Sequence, residues 1–147
     1  MSSEMKVDKA SLIEGLNEDL AHEYQAVIMY NTYASLVAGI HRAELKQLFQ
    51  GEVLDELRHA QYLADKITAL GGTPTTRPAS VKVESDARKM LENVVEAESE
   101  TILRYVKRMK QAEAFGDYGL AGVLQEMIAD ETKHKEEAAK TLVGQWR

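Results

Sequence analysis

The chain has 147 residues, with 18 Lys and Arg against 24 Asp and Glu, four His, two Pro and no Cys. Without Cys there is no disulfide framework, zinc–thiolate site, iron–sulfur cluster or thiol nucleophile, which fits a reducing cytoplasm, and a net charge of −6 argues against nucleic acid or an anionic membrane as the main partner. No stretch approaches ~18 uncharged apolar residues, so no membrane span is expected, and the polar start from Met1 to Asp8 lacks the apolar core of a secretory signal.

The length suits one domain spanning residues 1–147. Hydrophobic residues make up 44% and aromatic ones 6%, with Ala, Leu, Glu and Lys abundant, so the composition is helical and large enough for a sizeable core. Breakers divide the chain into four segments. The first helix is expected over Asp8–Ala38, closed by Gly39, and the second over Ile40–Leu70. Gly71-Gly72-Thr73-Pro74 through Pro78 form the only Gly/Pro-rich stretch. The third helix is expected over Ser85–Phe115 and the fourth over Asp117–Gln145, with Gly116 between them. Asp8, Ser85 and Asp117 are the expected N-caps.

One or two residues join the helices within each pair, which makes them antiparallel neighbours. Gly71 to Glu84 separate the pairs; extended at ~3.3 Å per residue, they reach about 45 Å, one full helix length. The expected fold is therefore an all-α, antiparallel four-helix bundle with a long crossover between helices two and three.

Each segment carries an apolar seam with 3-4 spacing. The first runs Leu16, Leu20, Glu23, Val27, Tyr30, Ala34, Val37. The second runs Leu45, Phe49, Glu52, Glu56, His59, Leu63, Leu70, with Lys66 out of place beside Ile67. The third runs Leu91, Val94, Glu98, Thr101/Ile102, Tyr105, Met109, Ala112, and the fourth Leu120, Leu124, Met127, Glu131, His134, Ala138, Leu142. All four seams are interrupted near the middle by Glu, or by Glu and His. Burying one bare carboxylate costs several kcal/mol, so four carboxylates and two imidazoles in one core demand neutralisation. Two divalent cations supply it: four Glu carry −4 and two Fe²⁺ carry +4.

Spacing supports this. Glu56-Leu57-Arg58-His59 and Glu131-Thr132-Lys133-His134 are both Glu-x-x-His, which places both side chains of each pair on one helix face. Each follows a seam Glu by 33 residues, Glu23 and Glu98 respectively. Adding 75 maps Glu23 to Glu98, Tyr30 to Tyr105, Asp55 to Asp130, Glu56 to Glu131 and His59 to His134, so two halves present one ligand set about a pseudo-two-fold. Carboxylates and imidazoles without thiolate suit iron or manganese and admit zinc.

These residues resemble the ferritin-like di-iron carboxylate proteins, in which two helices give one Glu each and two give Glu-x-x-His. The resemblance runs from about Leu16 to Gln145 and is nearest to the bacterioferritins, whose first two helices are similar to NEDLAHEYQAVIMY and DELRHAQYLADKITALGGTP here. It implies a ferroxidase centre in which O₂ or H₂O₂ oxidises Fe(II) to Fe(III), for iron detoxification and storage. Glu23, Glu56, His59, Glu98, Glu131 and His134 would be its metal ligands and catalytic residues, with Glu56 and Glu131 bridging. Two iron ions are the implied cofactor, with manganese possible in place of one or both. The alternative is a rubrerythrin-like peroxidase or another di-iron or Fe/Mn oxidase on the same site. Haem is not expected, because Leu57 stands where bacterioferritins carry a haem-binding Met. Rubrerythrins have a further Glu where Thr101 stands here. The chain ends 13 residues after His134, where ferritins continue into a fifth, channel-lining helix. A homo-oligomer of at least two copies is expected, cytoplasmic, with neither nucleic acid nor membrane as partner.

Other residues carry two readings each. Asp55 and Asp130 either accept a hydrogen bond from a ligand His, fixing its tautomer, or lie exposed or subunit-facing. Tyr30 and Tyr105 either bond to ligands or donate an electron, or are core Tyr with satisfied hydroxyls. Glu52 reads as a solvated Glu more than a transit ligand for iron. His22 and His41 read as surface or interfacial residues, Met90, Met109 and Met127 as core filler, Trp146 as a packing anchor, and Arg104, Lys107, Arg108 and Lys110 as a solvated basic stripe.

Overall fold

The computed structural model describes residues 6–144. Four helices form: α1 (Lys9–Leu36), α2 (Arg42–Ala69), α3 (Ala87–Phe115) and α4 (Tyr118–Leu142). Gln145 and Trp146 lie outside the described residues.

The helix starts follow capping chemistry. Asp8 accepts from the Ser11 N–H at 2.7 Å and Asp117 from the Leu120 N–H at 3.0 Å. The third cap is Asp86 instead of Ser85, and it accepts from the Lys89 N–H at 3.0 Å. The shift has a local cause. Glu84 Oε1 collects the N–H groups of both Ser85 and Asp86, which keeps the chain extended for one more residue. A carboxylate also answers the helix dipole where a serine hydroxyl does not.

The first corner is longer than the expected one or two residues. Residues 37–41 lie between α1 and α2. Val37 leaves the helix with ψ 131° and is fully buried at the end of the core, while Arg42 donates back to the carbonyls of Ser35 and Val37. The second corner is tight. Gly116 adopts φ +95°, which L side chains rarely adopt, and the N–H groups of Gly116 and Asp117 both reach the Ala112 carbonyl, at 3.0 and 2.9 Å. Lys66, the misfit of the second seam, pairs with Asp117 and so ties the end of α2 to the start of α4.

The crossover, residues 70–86, is stitched along α1. Asn17 donates to the Thr73 carbonyl at 3.1 Å and accepts from the Thr75 N–H at 2.8 Å. The Ala79 N–H meets the Ala21 carbonyl at 2.9 Å, Gln25 donates to the Ser80 carbonyl, and the Tyr33 hydroxyl donates to the Lys82 carbonyl at 3.0 Å. The chain thus climbs α1 from residue 17 to residue 33 and delivers α3 antiparallel to it. α1 packs chiefly on α2 and α3 on α4, with fewer contacts between α1 and α3 and fewest between α2 and α4. No helix among the described residues is long and apolar enough to cross a membrane.

The apolar core falls into two bodies. One contains Leu12, Leu16, Leu20, Leu63, Ile67, Leu120, Leu124 and Met127. The other contains Met29, Tyr33, Val37, Leu45, Phe49, Met90, Leu91 and Val94. The carboxylates and imidazoles of the seams belong to neither body.

Candidate metal centre

All six singled-out residues are buried: Glu23, Glu56 and Glu131 are 1% exposed, Glu98 2%, and His59 and His134 5%. They come from four helices, because residues at i and i+3 share a face and the antiparallel pairing of α2 with α4 sets Glu56 opposite His134 and Glu131 opposite His59. His59 Nδ1 lies 2.9 Å from Glu131 Oε1, and 3.8 Å from both Glu23 Oε1 and Glu56 Oε2. His134 Nδ1 lies 3.2 Å from Glu56 Oε1 and 3.9 Å from Glu131 Oε2. Two groups result, each with atoms within 4.8 Å of one another: Glu23, Glu56, His59 and Glu131; and Glu56, Glu98, Glu131 and His134. Glu56 and Glu131 belong to both.

The outer atoms are held by neighbours. His59 Nε2 meets Asp130 Oδ2 and His134 Nε2 meets Asp55 Oδ2, each at 3.0 Å. Each Asp therefore serves the His of the opposite half, and the bond leaves Nδ1 turned inward. The Tyr30 hydroxyl donates to Glu98 Oε1 at 2.6 Å, and the Tyr105 hydroxyl donates to Glu23 Oε1. What remains inside is a set of buried polar atoms without a hydrogen bond: Glu23 Oε2, Glu56 Oε1, Glu98 Oε2, both Glu131 oxygens, and Nδ1 of both His. Buried polar groups are rarely left in that state. Hard oxygen and imidazole donors converging on shared carboxylates fit a pair of iron or manganese ions.

Without metal, protons carry the charge. Burial first, then the charges of Glu23 and Glu131, raises the Glu56 carboxyl well above its usual range. Burial opposes charge on His59, but the nearby carboxylates of Glu131 and Glu23 outweigh it and push the imidazole up to about 11. His134 rises to about 9, as burial is outweighed chiefly by Glu52 and Glu131.

Several flanking residues differ from expectation. Glu52 is not solvated: its side chain is half-buried, with Oε2 2.6 Å from His134 Nε2 and without a well-directed hydrogen bond. With Asp55 and His134 it forms a third group of possible ligands. Arg108 is not part of a solvated stripe. It is 2% exposed and paired with Asp19, itself buried. His41 and Lys107 are exposed, His22 and Arg104 are half-buried, and Met90 and Met127 lie in the core.

A four-helix bundle with two carboxylate–imidazole groups sharing a pair of Glu places the protein among the di-metal carboxylate bundles. The chain belongs to the ferritin-like family, whose domain matches residues 13–144. It is 33% identical over 124 residues to a bacterioferritin of Streptomyces coelicolor, covering 84% of this chain and 74% of that one. Its fold is similar to a ferritin-like, diiron-carboxylate protein of Bacillus anthracis strain Ames, with TM-score 0.89 and 52% identity, over 97% of this chain and 99% of that one. It is also similar to the bacterioferritin-related protein of Bacteroides fragilis, described as a dodecameric thioferritin, with TM-score 0.85 and 28% identity, over 93% and 87% of the two chains.

Proposed function

We propose that the protein is a di-iron ferroxidase that oxidises Fe(II) to Fe(III) with O₂ or H₂O₂ and so removes and stores reactive iron. The observation that carries the reading is the set of inward-facing, unbonded carboxylate and imidazole atoms in two ligand groups that share Glu56 and Glu131. Glu23 and His59 would hold one iron, Glu98 and His134 the other, with Glu56 and Glu131 bridging them. Bound there, ferrous iron would supply two electrons, one from each ion, to O₂ or H₂O₂. Anionic oxygen donors favour the ferric state, which draws those electrons out. Glu56 and Glu131, which belong to both ligand groups, would hold the two ions near enough for one oxidant to reach both. Asp55 and Asp130 hold the imidazoles by Nε2, which leaves Nδ1 free to take a metal. Tyr30 and Tyr105 take one oxygen of each terminal carboxylate and leave the other for iron.

The likeness to bacterioferritins supports storage as the purpose and a homo-oligomer, at least a dimer, as the working form. The whole chain would act as one domain in the cytoplasm. The test is stopped-flow mixing of anaerobically iron-loaded protein with O₂ or with H₂O₂, followed by ferric absorbance. Wild type should oxidise iron far faster than buffer does, and Glu56→Ala and Glu131→Ala should not. Wild-type rates equal to buffer with both oxidants would remove the ferroxidase reading. Native mass decides the storage role: a cage of many copies supports it, and a bare dimer contradicts it.

A further inference from the structure

The two halves of the centre are alike at the ligands but differ one turn away. Next to Glu23, Arg108 Nε donates to Asp19 Oδ2 at 2.8 Å and Nη2 to Asp19 Oδ1 at 3.4 Å, while Nη1 donates to Gln111. The guanidinium lies against the α1 backbone, where only glycine fits: a Cβ on Gly15 would stand 1.8 Å from Arg108 Nη1. Gly15, Asp19 and Glu23 follow one another at four-residue steps on α1, while Tyr105 and Arg108 are three apart on α3. Asp19–Arg108 and Glu23–Tyr105 are thus successive rungs between antiparallel helices. In the other half the same repeat places Met90, Val94 and Tyr33, all in an apolar cluster.

That contrast matters energetically. Burial pushes the Asp19 carboxyl up to about 6 even against Arg108. Replacing a buried ion pair by apolar residues is often neutral or stabilising, and the chain uses the apolar solution at the equivalent place. What the forked pair adds is direction, because its two bonds fix register and rotation together. α1 touches α3 much less than it touches α2, so few other contacts set that register.

We propose that Asp19 and Arg108 are positioning residues: their buried pair holds the Tyr105 hydroxyl on Glu23 Oε1, presents Glu23 Oε2 to the cation, and makes the cation position beside Glu23 and His59 inequivalent to its mate beside Glu98 and His134. This rests on the reading of Glu23 as a metal ligand.

The test is anaerobic Co²⁺ titration followed by visible absorption, in wild type and in two backgrounds that isolate one position each, His134→Ala for the Glu23 side and His59→Ala for the Glu98 side. The double variant Asp19→Leu/Arg108→Met removes both charges and leaves neither unpaired. On the Glu23 side it should weaken Co²⁺ about tenfold. Tyr105→Phe should do the same, and the two changes together should add little, since they act through one contact. On the Glu98 side the double variant should change nothing, whereas Tyr30→Phe should weaken binding there. Should the double variant not fold, Arg108→Lys keeps the charge without the fork and should weaken the Glu23 side alone. Unchanged affinity on the Glu23 side, equal losses on both sides, or additive effects of the pair and Tyr105 would overturn the inference while leaving the site reading intact. Failure of wild type to bind Co²⁺ would sink both.

Discussion

Replacing Glu56 by Leu should stabilise the metal-free protein while abolishing its response to metal. Glu56 is 1% exposed, it has an unbonded Oε1, and Glu23 and Glu131 crowd it with like charge. Leu has a similar volume and needs no partner. His134 loses its 3.2 Å contact with Glu56 but keeps Glu131 at 3.9 Å and Asp55 at 3.0 Å. Burying a polar group without a hydrogen bond costs about 1–3 kcal/mol, a cost the apolar side chain does not incur. A central gain of about 2 kcal/mol raises the melting temperature by roughly 4–8 °C in a chain of this length. Metal acts with the opposite sign. At a hundredfold excess over Kd, each occupied site adds about 2.7 kcal/mol to wild type, and the variant, lacking a carboxylate shared by both groups, should gain almost nothing. Thermal melts in chelator and in excess Mn²⁺ measure both quantities. A metal-free variant that melts well below wild type, or equal stabilisation of both proteins by Mn²⁺, would refute the reasoning.

Three further predictions concern pH and the frame around the site. His59 and His134, raised to about 11 and about 9 from an ordinary 6.5, stabilise the metal-free fold fully below pH 6.5 and lose that contribution as pH rises through the folded values. Melting temperature in chelator should therefore fall from pH 6.5 to pH 9, while metal-loaded protein holds steady; a flat metal-free profile contradicts the assignment. Gly15→Ala would ordinarily help a mid-helix position by about 1 kcal/mol. Here the clash with Arg108 should reverse the sign and cost about 1–3 kcal/mol on denaturant unfolding. Asn17→Ala removes both bonds to the crossover and should cost about 1–3 kcal/mol, with limited proteolysis shifting to residues 73–75; an unchanged cleavage pattern would show that the other stitches suffice.

The bundle and the meeting of the six residues proposed as ligands were legible because both depend on periodicity. Glu-x-x-His and the 75-residue repeat are spacings, and spacings survive without coordinates. The crossover was legible through reach, since the intervening chain matches one helix length. What escaped depends on which residues meet across helices. Asp55 and Asp130 carried two readings because their partners sit in the opposite half of the chain. Arg108 looked like one cation in a stripe of four, and Asp19 was not singled out at all. The available signal was Gly15-x₃-Asp19-x₃-Glu23, a small residue and an acid stepping down the ligand face. The third cap moved by one residue because Glu84 captures two N–H groups, a choice that depends on side-chain orientation more than on composition.

The most direct test of the central claim is a crystal grown anaerobically with Fe²⁺ and an anomalous map measured at the iron edge. Two peaks about 3.5–4 Å apart, ringed by Glu23, Glu56, His59, Glu98, Glu131 and His134, are the predicted result. A centre that stays free of iron at saturating Fe²⁺, with those six side chains closed on one another, would contradict it.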